Sequence, residues 1–258
     1  MNNERFQTPT SETLFIPLAV RALETKRSNP VLRDEKAAEI LEQAEMPDTV
    51  ADGGGMAAHG ILSRTKVIDE EINGILLNRP DTVIINLGAG LDTRISRIDN
   101  GRLKCFELDL PDVIALRRKY FAENERIRFI AKSVLDDTWA RELREISGDN
   151  TVIIAEGLLM YFAADDVKRI FQTLTERFHG ALMYFDVVHS FFVGKGISST
   201  FLWGLDKASD IEAMNPNIRL VRSWSTGDLL KERQSPFFRI MNVLPSTRNR
   251  SQIICVRL

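Results

Sequence analysis

An excess of charge of one sign is missing from this chain: 34 Lys and Arg stand against 36 Asp and Glu, a net charge of −2 over 258 residues. A partner bound through its phosphates, whether nucleic acid or an anionic membrane, calls for a basic surplus, so neither is expected and a small-molecule partner is. Cysteine is nearly absent too. The two present, Cys105 and Cys255, each sit in an apolar run that reads as a buried strand, which argues for core thiols in a reducing, cytoplasmic setting. A disulfide framework is therefore not expected, and no metal site is. No stretch approaches the ~20 apolar residues of a membrane span, and the opening MNNERFQTPT has none of the segments of a secretory leader, so a soluble intracellular protein is expected. Repeats and low-complexity tracts are absent as well.

What remains is a chain that is 44% hydrophobic and 27% charged, enough to bury one substantial core and most simply a single α/β unit. Seven segments read as strands: 82–87, 103–108, 127–131, 152–156, 181–188, 218–224 and 251–257. The first four are short, nearly continuous apolar runs separated by helical patterns, as parallel strands covered on both faces must be. The expectation is a doubly wound, mostly parallel seven-stranded sheet, Rossmann-like, over residues 81–258. Pro111 begins one of its helices at the favoured first position, with Val113, Leu116 and Tyr120 on a stripe. Asp165 and Asp166 open another, with Val167, Ile170, Phe171, Leu174 and Phe178 facing the core. Around 212–216 and 236–250 the pattern weakens and no boundaries are fixed. Residues 1–80 are mostly helical in pattern and are expected to form a cap or lid, with Gly53–Gly55 as a hinge or helix boundary within it.

The most informative stretch is VIINLGAGLDTR, Val83 to Arg94, followed by FELDLP at Phe106 to Pro111. An apolar strand runs into a Gly-x-Gly turn, Gly88-Ala89-Gly90, and a carboxylate, Asp109, arrives 19 residues after Gly90. That is the layout of a crevice that holds a ribose. The third small residue of the dinucleotide fingerprint is replaced by Thr93, and Asp92 beside it repels pyrophosphate at a helix mouth. A bare Gly-x-Gly also occurs wherever a turn needs positive φ, so the carboxylate at a fixed distance decides the reading. Glu107 and Asp109 lie two apart on one strand and share a face; one is expected to hold ribose hydroxyls while the other faces solvent or caps the turn.

Two further charges come from elsewhere in the chain. Arg64 falls on the apolar stripe Ile61, Ile68, Ile72, Ile75 and Leu76 of a helix expected over 56–78, where its guanidinium needs an anionic partner. Spacing leaves open whether that partner is a ligand carboxylate, or whether Arg64 instead pairs with Asp69 or Glu70 or reaches to water. Glu156 ends the apolar run VIIA at the carboxyl edge of a central strand, where open α/β sheets bind ligands; a structural ion pair or a cap is the alternative. One ligand satisfies Arg64, Glu156 and Asp109 together, with a carboxylate, an ammonium and ribose hydroxyls. It is S-adenosylmethionine.

Taken in order, ILSRTKVID, VIINLGAGLDTR, FELDLPDVIALRRKY and VIIAEGLLMYF resemble the leucine carboxyl methyltransferase family, including its polyketide O-methyltransferase branch, from about Thr13 to the strand at Ala181. The resemblance implies a class I methyltransferase fold whose last strand is antiparallel, with S-adenosylmethionine contacts at Arg64, Gly88, Asp109 and Glu156. Ala89, Gly90, Asp92, Glu107 and Leu110 complete the expected cofactor site. Where the family holds adenine with an Asp-Leu pair after the third strand, this chain has Ser133 and Val134, and Ser133 offers one hydrogen bond without charge.

Methyl transfer from a sulfonium is an in-line displacement in which the enzyme chiefly aligns donor and acceptor. A carboxylate acceptor is already ionised, whereas a hydroxyl needs a base, for which His189, just past the strand MYFDVV, and Tyr161 are the candidates. A surface histidine at 189 is the competing reading. Tyr161, Phe162, Phe191, Phe192 and Trp203 line an apolar substrate pocket or belong to the ordinary core. The expected activity is O-methylation of a small-molecule carboxylate or hydroxyl. A protein C-terminal carboxyl methyltransferase and a nonenzymatic nucleoside-binding module are the alternatives.

Overall fold

Every residue of the strand that precedes the glycine turn, β1 (Val83–Leu87), is buried, because both of its faces are covered. A computed structural model of the chain describes residues 9–44, 54–147, 150–195, 200–243 and 245–258. The remaining strands are β2 (Lys104–Asp109), β3 (Ile127–Ala131), β4 (Thr151–Ala155), β5 (Leu182–Val188), β6 (Arg219–Ser225) and β7 (Ser251–Arg257). They form one sheet in the order β3-β2-β1-β4-β5-β7-β6. β1 to β5 are parallel, and β7 inserts antiparallel between β5 and β6. Chain order reverses between β1 and β4. The crevice outside the carboxyl ends of those two strands is where such sheets take ligands.

Strand alternation divides the core. Ile85 and Leu87 of β1, with Ile153 of β4 and Phe185 of β5, meet Trp139 of α6 (Thr138–Ser147) and Val167, Ile170, Phe171 and Leu174 of α7 (Ala164–Arg177). Ile84, Cys105 and Ile154 face the other way, onto Ile68, Ile72 and Leu76 of the long helix α3 (Gly54–Asn78). That alternation makes the sheet doubly wound. The inward stripe of α3 is shorter than its spacing suggests: Ile61 packs with Val20 and Leu62 instead, and Ile75 is only partly buried. Gly54 and Gly55 open α3, whereas Gly53 lies outside the described residues.

Two helices precede α3. α1 (Pro9–Thr25) and α2 (Glu35–Gln43) bury Phe15, Leu18, Ala22, Ile40 and Leu41 against Leu91, which follows the glycine turn. The helix after that turn, α4 (Arg94–Ile98), is short, and α5 (Pro111–Arg117) ends before Tyr120, which packs beside Phe15. Segments whose pattern was weak prove to be brief turns of helix: a 3₁₀ piece at Ala208–Ala213, α8 (Pro236–Met241) and α9 (Pro245–Arg248). Among the described residues, no helix is long and apolar enough to cross a membrane.

Leu174 is fully buried where α7 meets the sheet, remote from the crevice. Leu174→Ala is expected to cost about 2–5 kcal/mol in urea unfolding while leaving nucleoside affinity within twofold. A cost below about 0.5 kcal/mol would contradict the packing described.

Candidate active site

The turn between β1 and α4 needs glycine for two reasons. Gly88 and Gly90 both have positive φ, +67° and +46°. A Cβ at Gly88 would also lie 2.6 Å from Leu158 Cδ1, and one at Gly90 would lie 3.0 Å from Leu14 Cδ2. The turn is thus clamped from both sides. The N–H groups of Gly88 and Ala89 donate to the Leu108 carbonyl at 2.8 and 3.0 Å, tying the turn to β2. Gly90 N–H donates to Asp109 Oδ2 and Leu110 N–H to Oδ1, each at 2.7 Å. Both carboxylate oxygens of Asp109 therefore hold one backbone donor and keep a further lone pair.

Above the turn is a small cleft of about 70 Å³. Its walls are Leu14, Pro17 and Arg21 of α1, Arg64 of α3, Asn86 to Asp92 without Leu87, and Glu156 at the end of β4. Arg64 Nε donates to Glu156 Oε1 at 3.0 Å, and Thr65 Oγ1 donates to the same oxygen at 3.1 Å. Arg94, 1% exposed, donates to Glu156 Oε2, to Asp69 at 2.7 Å and to Asp92 at 2.5 Å. Glu156 is thus gripped by two guanidinium groups at once. Arg97 continues the chain from Asp69 at 2.7 Å to Asp34 at 2.6 Å, and Asp34 also accepts from Arg21 at 2.8 Å and from Thr93.

These contacts settle the fate of each expected site residue. Arg64 and Glu156 line the cleft with the Gly88–Gly90 turn, whereas Asp109, at the end of β2, does not line it and meets the turn through the Gly90 N–H. Arg64 pairs with neither Asp69 nor Glu70, nor does it reach for water; its second partner is Asp186, whose Oδ2 accepts from Nη1 at 2.8 Å. Glu156 lines the cleft and is ion-paired with Arg64 and Arg94. Asp92 also lines the cleft, yet its charge is answered by Arg94, and it caps the backbone of α4 through the Arg94 N–H at 2.9 Å.

Glu107 overturns an expectation. It neither faces solvent nor caps the turn: it is 1% exposed, pairs with Arg117 at 3.0 Å and accepts from Asn86 at 3.0 Å. Arg117 in turn donates to the Gly90 carbonyl at 3.0 Å, so Glu107 supports the turn from beneath. Leu110 stands half-exposed beside Asp109. Ser133 and Val134 do not line the cleft. They follow β3, whose Ala131 pairs with Asp109, at the far end of the same sheet edge; Ser133 Oγ accepts from Leu135 N–H at 3.2 Å and the Val134 carbonyl accepts from Trp139 Nε1 at 3.2 Å.

Of the candidate bases, His189 has Nδ1 3.1 Å from the Phe191 N and 3.3 Å from Asp206 Oδ1, so a backbone donor and a carboxylate compete for that nitrogen. Burial pushes the Tyr161 hydroxyl above its ordinary value, with Arg64 lowering it and Asp186 raising it further. Of the aromatics, Trp203 belongs to the core, while Tyr161 and Phe191 are exposed and Tyr161 packs edge-on against Phe201 at 5.2 Å.

Five residues that complete the ionic chain escaped sequence reasoning: Asp186, Asp34, Arg94, Arg97 and Arg21. Arg94 stood in view within the glycine motif. Its burial beside three carboxylates depends on contacts with Asp69 and Glu156, 25 and 62 residues away.

The leucine carboxyl methyltransferase family model matches residues 15–175. The chain belongs to that family. It is accordingly an S-adenosylmethionine-dependent methyltransferase. Among its relatives, the tetracenomycin polyketide synthesis O-methyltransferase TcmP of Streptomyces glaucescens is 26% identical over 86% of this chain and 84% of its own. The S-adenosyl-L-methionine-dependent methyltransferase dpfgK of Gibberella zeae is 26% identical over 82% and 80%. Solved structures share the fold. The N-methyltransferase NodS of Bradyrhizobium japonicum, in complex with S-adenosyl-L-homocysteine, superposes with a TM-score of 0.50 at 9% identity over 94% of this chain and 98% of its own. A methyltransferase of Anabaena variabilis gives 0.53 at 14% identity, over 75% and 84%.

Burial alone pushes the Asp34, Asp92 and Glu156 carboxyls up, but their arginine partners outweigh it and hold all three below the ordinary range. For Asp109 burial wins over its two backbone donors, and the carboxyl is raised. A carboxyl held low when folded adds stability that is complete above its unfolded value near 4 and is lost as pH falls through the folded value. The melting temperature is therefore expected to fall below about pH 4. Asp34→Asn keeps a cap for α2 but uncovers Arg21 and Arg97, which should cost about 3–5 kcal/mol at pH 7 and much less at pH 3. An equal loss at both pH values would show that the pairs contribute nothing.

Proposed function

We propose that this methyltransferase acts on an oxygen of a small molecule, and on a carboxylate ahead of a hydroxyl. The cofactor half of the reading rests on one observation: Arg64, Glu156 and the Asp109-bound turn meet at a single cleft. Arg64 would hold the amino-acid carboxylate of S-adenosylmethionine. Glu156 Oε2 keeps acceptor capacity for its ammonium, and the free lone pairs of Asp109 suit a ribose diol. Gly88, Ala89 and Gly90 give backbone close approach, with Asp92 and Leu110 at the margins. Ser133 and Val134, farther along the edge, are proposed to meet the adenine. We propose residues 1–80 as the cover, since α1 contributes Leu14, Pro17 and Arg21 to the cleft wall. When bound, the cofactor supplies an electrophilic methyl group.

What the chain adds beyond binding is alignment, which in oriented systems is worth on the order of 7–11 kcal/mol. The state of the two candidate bases supports the carboxylate. Tyr161, raised by burial, retains its proton at neutral pH, and His189 Nδ1 is shared between the Phe191 N–H and Asp206. An acceptor that is already ionised asks nothing of either. The name of the Streptomyces relative, which spans most of both chains, supports a small molecule over a protein terminus. Cys105 and Cys255, both free and buried, suit a reducing compartment such as the cytoplasm.

Two measurements test this. In calorimetric titration with S-adenosylhomocysteine, Arg64→Ala and Asp109→Ala are each expected to weaken binding at least tenfold, about 1.4 kcal/mol; unchanged affinity in both refutes the site. In extracts incubated with methyl-labelled donor, label should enter small molecules and be released as volatile methanol by mild alkali, as esters are. Alkali-stable label would indicate a hydroxyl or nitrogen acceptor, and label in polypeptide a protein terminus.

A further inference from the structure

Asp186 takes no part in lining the cleft, yet it touches Arg64 and the backbone next to Glu156, the two residues that the proposed site uses on the amino-acid end of the cofactor. It lies on β5 and is 1% exposed. Its Oδ2 accepts from Arg64 Nη1 at 2.8 Å, and its Oδ1 accepts from Gly157 N–H at 2.5 Å. Gly157 follows Glu156 directly. It has φ +67°, and a Cβ there would come within 2.9 Å of Arg64 Nη2, so the guanidinium rests against the bare backbone of this turn. One oxygen of Asp186 thus holds the arginine and the other holds the peptide from which the glutamate projects.

We infer that Asp186 is a positioning residue for amino-acid recognition, fixing Arg64 and the Glu156–Gly157 turn relative to each other without touching the ligand. The inference rests on the cofactor placement proposed above. A guanidinium with Glu156 as its sole carboxylate partner can swing about that pair; a second carboxylate on a different strand removes the freedom. Arg64 then presents its remaining N–H groups in one orientation. Because Ala155, the last residue of β4, pairs with Phe185, Glu156 just beyond β4 and Asp186 on β5 each stand one step past that pair, so the end of the sheet sets the spacing between the two acids.

The test separates this role from general support of the fold by using two ligands, S-adenosylhomocysteine and 5′-methylthioadenosine, the second of which lacks the amino-acid carboxylate and ammonium. Asp186→Asn retains an oxygen for Gly157 N–H but turns an amide donor toward Arg64. It is expected to weaken S-adenosylhomocysteine at least tenfold and 5′-methylthioadenosine less than twofold. Equal weakening of both, or of neither, overturns the proposal. Should the single variant fold poorly, Asp186→Asn combined with Arg64→Gln removes one charge of each sign. Its S-adenosylhomocysteine affinity should match that of Arg64→Gln alone, and a further drop of fivefold or more would mean that Asp186 does not act through Arg64. Failure of the unsubstituted protein to bind either ligand would count against the cofactor placement instead, leaving the two outcomes distinct.

Discussion

The two-sided grip on Glu156 is the interaction on which the rest depends. From it a chain of alternating charge runs in both directions: through Arg64 to Asp186 on β5, and through Arg94, Asp69, Arg97 and Asp34 to Arg21 on α1. Nearly all of it is out of water. Ion pairs in such surroundings are seldom more stabilising than well-packed apolar side chains, since desolvation consumes most of the Coulomb gain. Removing one member is another matter, because it strands its neighbour's charge. What the chain of pairs supplies is therefore a single arrangement of elements distant in sequence, with a steep penalty for departing from it. The N-terminal helices illustrate this. α1 and α2 bury an apolar face against Leu91, but it is Asp34, joined at once to Arg21, Thr93 and Arg97, that fixes which part of α1 faces the cleft.

The sheet was legible in the sequence because its first strands are buried on both faces and so read as uninterrupted apolar runs; the observed ends differ from the expected ones by a residue at most. The glycine turn was legible because positive φ and close approach leave few alternatives to glycine. Arg64 and Glu156 were legible because a charge on an apolar stripe or at the end of an apolar run demands a partner. Which partner was not. Arg64 had acidic neighbours at local spacing, Asp69 and Glu70, and chose Glu156 and Asp186, 92 and 122 residues away. Helical periodicity carries no information about a pairing made across a sheet edge. Glu107 failed for a related reason. Its alternation with Asp109 predicts a shared face, but only the approach of Arg117 from α5 decides that this face is roofed over at 107 and open at 109.

The same strands that organise the cofactor end also organise what lies beyond it. Beyond Glu156 the chain enters the 3₁₀ turn at Leu159–Tyr161; beyond Asp186, β5 leads to His189 and the 3₁₀ turn at Ser190–Phe192. The two excursions are tied together where Leu202 N–H donates to the Met160 carbonyl at 2.7 Å and Tyr161 meets Phe201 edge-on. Tyr161 stands close enough to Arg64 and Asp186 for both to move its titration. In-line displacement requires an acceptor oxygen held in a narrow range of distance and angle from the group it attacks. A protein whose donor-side charges and acceptor-side rings sat on unrelated elements would have to fix that relation through several independent contacts. Here Glu156 directly follows β4 and Asp186 lies on the neighbouring β5, one register step beyond the Ala155–Phe185 pair, and the aromatic excursions begin within a few residues of each. The spacing of β4 and β5 thus relates the charged groups proposed for the cofactor to the aromatic turns that follow each strand.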